Sequence, residues 1–464
     1  MVGINVDGDE RIIVYSVQET ATPLDPSNTG AAFGQVTYTT TADSAKLLQN
    51  VTLNDPEKPW INPANVTELS NTDGLVSVTA DTMMSKMNHW FTMLPYSGTL
   101  QGYMKQISSL CGMSPTIQVA SDIASLPVVA IGYEGNVWEG FKEFLSANKL
   151  EAVYDNNQIK IRKPNEDNHV IKYPTTITRN HSAQATAEIV VVKFKELWTP
   201  TIQSNIEFYP DHDDYSAGIL SVEAGETVIH EIQLDASVVS VNQPVCKDYV
   251  AANTSAAGTS GWYSVAGNDG KPIEASRWAA GGGKLEVRTT RDPSVIEVII
   301  TGSKVEEYAP YQIAMTAGES SYYNSLHITG RGLRWTEREI EVHTGAPTAS
   351  TEQETRQEVE NRHILTKGQA YNAALQASRA LCGGFLTYSG SSAPFGPNVG
   401  QRVRLDDAYY RTETTTEVAE NKQFELTEHT LISDFNTANP TQTIAQFNSK
   451  YSGKRFLDFN ERPL

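Results

Sequence analysis

The stretch from Tyr96 to Arg162 constrains the fold most. It holds two amphipathic helix patterns and a hairpin signal, while the chain on either side reads as strand and turn. Leu100, Tyr103, Met104, Ile107, Leu110 and Cys111 recur at three- and four-residue steps, so they share one helix face. Ser97 fits the N-cap of this helix and Gly112 its C-terminal stop. Strand-like runs follow at Thr116–Val119 and Leu126–Tyr133. A second helix is predicted from Asn136, with Glu139 in capping-box spacing and Val137, Phe141, Phe144 and Leu145 as its apolar face. Leu150–Tyr154 and Ile159–Arg162, split by Asp155-Asn156-Asn157, predict a hairpin. Together these elements form a compact α+β unit set into a β-rich chain.

The 464 residues allow three or four domains. At 39% hydrophobic and 20% charged, the chain has the composition of a folded protein rather than a disordered one. No apolar run has the length of a membrane span, and the N-terminus through Asp7 lacks a leader pattern. Cys111, Cys246 and Cys382 are odd in number and far apart. They read as free thiols made in a reducing compartment rather than as a disulfide framework. The net charge of −19 disfavours a protein that reads nucleic-acid sequence, which needs a basic surface. It is compatible with a conduit whose wall repels a passing polyanion.

Before the α+β unit, Arg11–Ser16, Gly34–Thr40 and Leu75–Thr79 are strand candidates. After it come Thr175–Arg179 and Glu188–Lys195. The second of these is the strongest strand pattern in the chain and is read as returning to the N-terminal β-domain. Ile219–Val222, Thr227–Leu234, Lys284–Thr289 and Val295–Thr301 predict a second β-region. It is interrupted by small-residue loops at Ala251–Gly261 and Ala279–Gly283. Leu326–Gly330 and Glu339–Gly345 follow, and Gly330-Arg331-Gly332 is read as a turn in a β-context. A helix is predicted from Thr366 to Cys382. Thr366 and Gln369 form its capping box, and Tyr371, Ala374, Leu375, Ser378 and Leu381 its buried face. Strands resume at Gln401–Leu405, Arg411–Val418 and Phe424–Leu431. In the last residues Phe435-Asn436, Phe447-Asn448 and Phe459-Asn460 recur at 12-residue steps. This fits an arm docking its phenylalanines on another surface, or a terminus packing on its own domain.

The sequence offers little catalytic chemistry. It has no zinc-type Cys or His spacing, no phosphate loop and no nucleophile elbow. Asp211-His212-Asp213-Asp214 lacks the alternating ligand spacing of a calcium loop. No catalytic, metal or cofactor-binding residue is assigned, no cofactor is expected, and the chain is read as a non-enzyme.

The order of elements carries a resemblance. Thr99-Leu100-Gln101-Gly102-Tyr103-Met104 lies in the first helix and Val137-Trp138-Glu139-Gly140-Phe141-Lys142 in the second. Leu326-His327-Ile328-Thr329-Gly330-Arg331-Gly332, Val342-His343-Thr344-Gly345 and the ending Phe456-Leu457-Asp458-Phe459-Asn460-Glu461-Arg462-Pro463-Leu464 follow. This resembles a bacteriophage minor tail protein of the baseplate-hub, or tail-associated, family, of the kind found in long-tailed phages of actinobacteria.

The resemblance implies a mainly β fold with an α+β insert: two barrel-like hub domains plus a peripheral β-sandwich. Residues 1–93 with 166–200 would form the first hub domain, 94–165 the insert and 201–320 the sandwich. Residues 321–435, with the helix at 366–382, would form the second hub domain, and 436–464 a C-terminal docking arm. It further implies a homotrimeric ring at the virion tail tip, synthesised in the host cytoplasm. The ring would contact a distal tail or tail-tube protein, the tape-measure protein and other minor tail proteins, and the host surface indirectly. Genomic DNA would pass through it without sequence-specific binding. Phe435, Phe447, Phe456, Phe459 and Leu464 are the candidate docking residues. Two alternatives stand beside it: a receptor- or glycan-binding tail protein, motivated by Trp198, Trp262, Trp278 and Trp335, and a cell-wall hydrolase.

Overall fold

The computed structural model describes residues 3–6, 9–12, 14–21, 35–41, 50–54, 64–72, 75–114, 116–155, 158–163, 169–172, 176–182, 188–209, 220–248, 261–313, 326–343, 356–383, 385–392, 402–406, 424–434 and 447–456. They are mainly β-strand, with four α-helices.

The α+β unit folds around one core that runs from Met87 to Ile161. Helix α1 spans Leu100–Leu110 and buries Leu100, Tyr103, Met104 and Ile107. Its N-cap is Thr99, whose hydroxyl accepts from the Gly102 amide at 3.2 Å. Ser97, the expected cap, is instead paired with Val129 in a two-stranded ladder. Thr99 is the last residue of that strand and directly precedes Leu100, so its hydroxyl, not that of Ser97 two residues earlier, reaches the first turn of the helix. Gly112 ends the helix at φ 60°, a conformation that favours glycine. Helix α2 spans Val137–Ala147 and is capped by Asn136, which accepts from Trp138 and Glu139 amides. Phe141 and Phe144 lie almost fully buried at its centre. The hairpin Glu151–Asp155 with Gln158–Arg162 forms as expected, with Gln118–Val119 added in parallel.

The largest sheet has 13 strands. Its path runs from Thr176–Ser182 through Phe385–Ser392, Phe447–Phe456 and Phe424–Asp434 to Val14–Ala21. It continues through Gln35–Thr41, Leu75–Thr82, Ala64–Thr72 and Asn50–Asn54 to Gly3–Val6 and Asp9–Ile12. His169–Lys172 and Arg402–Asp406 branch from it. Strands from both ends of the chain thus share one sheet. It does not close into a barrel among the described residues: Asp9–Ile12 and Thr176–Ser182 each pair on one side only.

Strand Ile189–Leu197 departs from expectation. It joins a different sheet, antiparallel to Leu326–His343 and parallel to Arg356–Glu360. Apolar alternation marks a strand but does not name its partner. Leu326–His343 is itself a single strand of 18 residues, so Gly330-Arg331-Gly332 is not a turn. The glycines answer crowding instead. A Cβ on Gly330 would lie 2.2 Å from the Ser240 carbonyl oxygen, and one on Gly332 2.4 Å from that of Ser237. The neighbouring strand Ala236–Val241 bulges between Val238 and Ser240 at this point.

The N-terminal half of the long strand packs into the core of the second β-region, which runs from Phe208 to Ile328, through Leu326 and Ile328. Part of the expected loop there is helical. Helix α3, Ala275–Ala280, seats Trp278 in that core, with its indole N–H donating to the Tyr263 hydroxyl at 3.2 Å. Helix α4, Lys367–Gly383, lies on strand Ile189–Leu197 through Ala370 and Ala374, which meet Val190, Val192 and Phe194. Gln369 and Thr366 form the expected capping contacts. The buried face is rotated from the expected one. Tyr371 is 55% exposed and Leu375 half-buried, while Ala370, Ala374 and Ser378 face inward. Small residues allow a close approach to the sheet, and that requirement overrides the larger apolar surface of tyrosine.

Candidate functional site

Three parts of the chain meet at one cleft of about 330 Å³. The α+β unit supplies Ile131, Tyr133 and Glu143, the sheet and the turn that follows it supply Lys195, Trp335 and Arg362, and the second β-region supplies Asp292 and Ser294. Each group arrives by a different route. Glu143 is on helix α2, Lys195 and Trp335 are on the paired strands Ile189–Leu197 and Leu326–His343, and Arg362 lies in the turn leading into α4.

Arg362 is the chief connector. Its Nε is 2.6 Å and its Nη2 3.1 Å from the two oxygens of Glu143, and its backbone N–H adds a third bond to the same carboxylate at 3.2 Å. The guanidinium also lies over the Tyr133 ring at 4.5 Å. Asn361 donates to the Glu143 carbonyl at 2.9 Å. Below this pair the insert's Ile131 packs with Leu333, Trp335 and Leu365. Ser237, fully buried, accepts from the Gly132 N–H at 2.7 Å. A side chain on Gly132 would lie 2.6 Å from the Met93 carbonyl and 2.9 Å from Pro293.

Two basic groups are electrically unusual. His363 is buried with neither ring nitrogen hydrogen-bonded, edge-on to Tyr133 and Phe144. Burial, and secondarily Arg362, lowers its pKa to about 3, so the imidazole is neutral. Lys195 lies 4.4 Å over the Trp335 ring. Burial lowers its pKa, against the pull of Glu337, Asp292 and Asp235.

The chemistry of the cleft is that of a joint. Its charged groups bind one another across chain segments, and its apolar groups interlock. No group of three or more His, Cys, Asp or Glu residues suited to a metal occurs among the described residues. Cys111 and Cys246 are free, and burial pushes both thiols up to about 11, which makes them poor nucleophiles.

The expected docking residues lie elsewhere. The backbones of Phe447 and Phe456 belong to the large sheet, opposite Ser433 and Phe385 respectively. Phe435, Phe459 and Leu464 fall outside the described residues, as do Arg411–Val418, most of Ala251–Gly261 and Asp211-His212-Asp213-Asp214. Of the tryptophans, Trp278 and Trp335 are buried, and Trp262 is tilted against His327. Trp198 is exposed, but Arg334 lies over its ring at 4.2 Å. Sequence reading missed the joint itself. Glu143 and Arg362 have no local signature, since each is one of many charged residues. Capping of α4 at Thr366 was the nearest clue that the segment just before it is ordered.

No protein-family model matches the chain, and no curated protein matches it. Solved structures similar to it include the 43 kDa tail protein of prophage MuSo2 from Shewanella oneidensis, at 7% identity and a TM-score of 0.46 over 97% of each chain. A tail protein from Neisseria meningitidis MC58 is similar at 7% identity and a TM-score of 0.44, over 100% of this chain and 99% of that one. The prophage tail protein gp18 from Listeria monocytogenes EGD-e is similar at 9% identity and a TM-score of 0.43, over 97% and 94%. No helix among the described residues is long and apolar enough to cross a membrane.

Proposed function

We propose that the chain is the structural tail-tip hub of a bacteriophage, a subunit of a homotrimeric ring that continues or closes the tail tube. The observation that supports this best is the 13-stranded sheet, built from both ends of the chain, which among the described residues is unclosed and ends in two singly paired strands. Such edges are stable when a neighbouring copy pairs with them or covers them, and a closed ring removes them all. In that ring the hub domains become barrel-like. The joint around Arg362 holds the α+β insert at a fixed angle to the sheets. Repulsion from the net negative charge keeps passing DNA from adhering.

The distal tail or tail-tube protein, the tape-measure protein and other minor tail proteins are the neighbours in this reading. Phe435, Phe447, Phe456, Phe459 and Leu464 are the residues proposed to dock on them. Mass measurement of the purified chain, together with negative-stain images of tails labelled at the C-terminus, tests the reading. Three copies around a bore, with label at the tail tip, are expected. A strict monomer without any place in the tail overturns it.

A further inference from the structure

The strand Leu326–His343 is paired differently along its length. Its first part has neighbours on both sides. From Thr336 to His343 only Ile189–Leu197 pairs with it among the described residues. Half of the backbone groups on such an edge point away from the sheet. Glu337, Arg338, Glu339, Glu341 and His343 are exposed.

Charge alternates across this small sheet from strand to strand. Cross-strand register places Lys195 opposite Glu337, and Lys193 opposite both Glu339 and Glu360. Lys193 binds Glu358 at 3.0 Å, and Arg356 reaches over the central strand to Glu341 at 2.9 Å. The face therefore reads as an acidic lane, a lysine lane and a second acidic lane. That second lane is the edge with no further strand paired to it among the described residues. Glu337 and Glu339 make no ion pair with a described residue. Opposite charges facing across strands stabilise a sheet, and like charges oppose pairing. A second copy could offer this same edge, or the opposite edge Arg356–Glu360. The first would set glutamate against glutamate, and the second would do the same with Glu358 and Glu360, its one cation, Arg356, being already held by Glu341. A strand bearing lysine or arginine at alternate positions continues the alternation.

We propose that the edge Thr336–His343 is a docking edge for an extended basic segment of another protein, which adds to the sheet as a further strand beside it. Main-chain hydrogen bonds supply the attachment, and alternate cations facing Glu337, Glu339 and Glu341 supply the selectivity. This goes beyond the hub reading and does not depend on the copy number of the ring.

The test uses the full chain and blocked peptides of about eight residues, long enough to cover the edge. One peptide alternates lysine with threonine, one alternates glutamate with threonine, and one is the lysine peptide N-methylated at every second amide. The lysine peptide alone should bind, and amide exchange should slow across Thr336–His343. The triple variant Glu337→Lys/Glu339→Lys/Glu341→Lys should lose about tenfold or more in affinity for it and should take up the glutamate peptide. The control Glu223→Lys/Glu226→Lys/Glu231→Lys changes the net charge equally at exposed positions elsewhere and should keep the wild-type preference.

Failure of the unmodified protein to bind the lysine peptide overturns the proposal, and the edge charges then only block pairing. Equal loss in the control, or equal binding of the N-methylated peptide, overturns it in favour of general electrostatic adhesion. Should the edge variant not fold, the comparison of methylated and plain peptide on the wild-type chain still decides.

Discussion

Glu143 and Arg362 stand 219 positions apart in the sequence and meet as a two-pronged ion pair, with Nε to Oε2 at 2.6 Å. Both side chains are only partly exposed, and a backbone N–H reinforces the same carboxylate. Their coupling is expected to exceed that of an ordinary surface pair. A double-mutant cycle with Glu143→Gln and Arg362→Met, read by chemical denaturation, should give about 1 to 2 kcal/mol. Arg362→Lys should recover little of it, because an ammonium cannot make the paired contact. A coupling near zero would show that the apolar contacts of Ile131 hold the joint alone.

His363 makes stability depend on acid. Its folded pKa of about 3 lies below the unfolded value near 6.5, so the unfolded chain binds the extra proton. The contribution is complete above pH 6.5 and is lost as the pH falls from there towards 3. The slope is at most about 1.4 kcal/mol per pH unit from this one group. His363→Leu should flatten the stability curve between pH 6.5 and 4 and leave neutral-pH stability little changed, since neither ring nitrogen is bonded. An unchanged slope in the variant would assign acid sensitivity to other groups.

The crowded glycines of the long strand should tolerate no side chain. Gly330→Ala and Gly332→Ala each place a Cβ within 2.4 Å of a neighbouring carbonyl oxygen. Each should cost about 2 kcal/mol or more in thermal or urea unfolding, as overpacking does. Gly112→Ala meets open space, and its cost is set by the positive φ alone, about 1 kcal/mol.

Helix α4 gives a check on which of its faces is inside. Ala374→Leu should destabilise by about 1 to 3 kcal/mol, because the methyl group already fills the gap to Val190 and Val192. Tyr371→Ala should stay within about 0.5 kcal/mol, as expected for an exposed position. The reverse order would restore the face that periodicity suggests.

What could be read from sequence follows the range of the forces involved. The helices of the insert were legible because their signals are local: the spacing of Tyr103 and Ile107, the cap at Asn136 and the stop at Gly112. The strand Ile189–Leu197 was legible as a strand, but its partner was not, because alternation is the same whichever sheet receives it. Gly330 and Gly332 looked like a turn because glycine is required both where a chain bends and where another backbone comes close. The joint around Arg362 left no trace, since a long-range ion pair needs only one residue from each side.

Leu326–His343 is an unbroken ribbon whose first residues are anchored in the peripheral core and whose last residues lie beside helix α4. Tension applied to the second β-region is therefore delivered along covalent backbone to the strands under helix α4. No loop intervenes to absorb it. Two bodies tied in this way respond to a load as one lever.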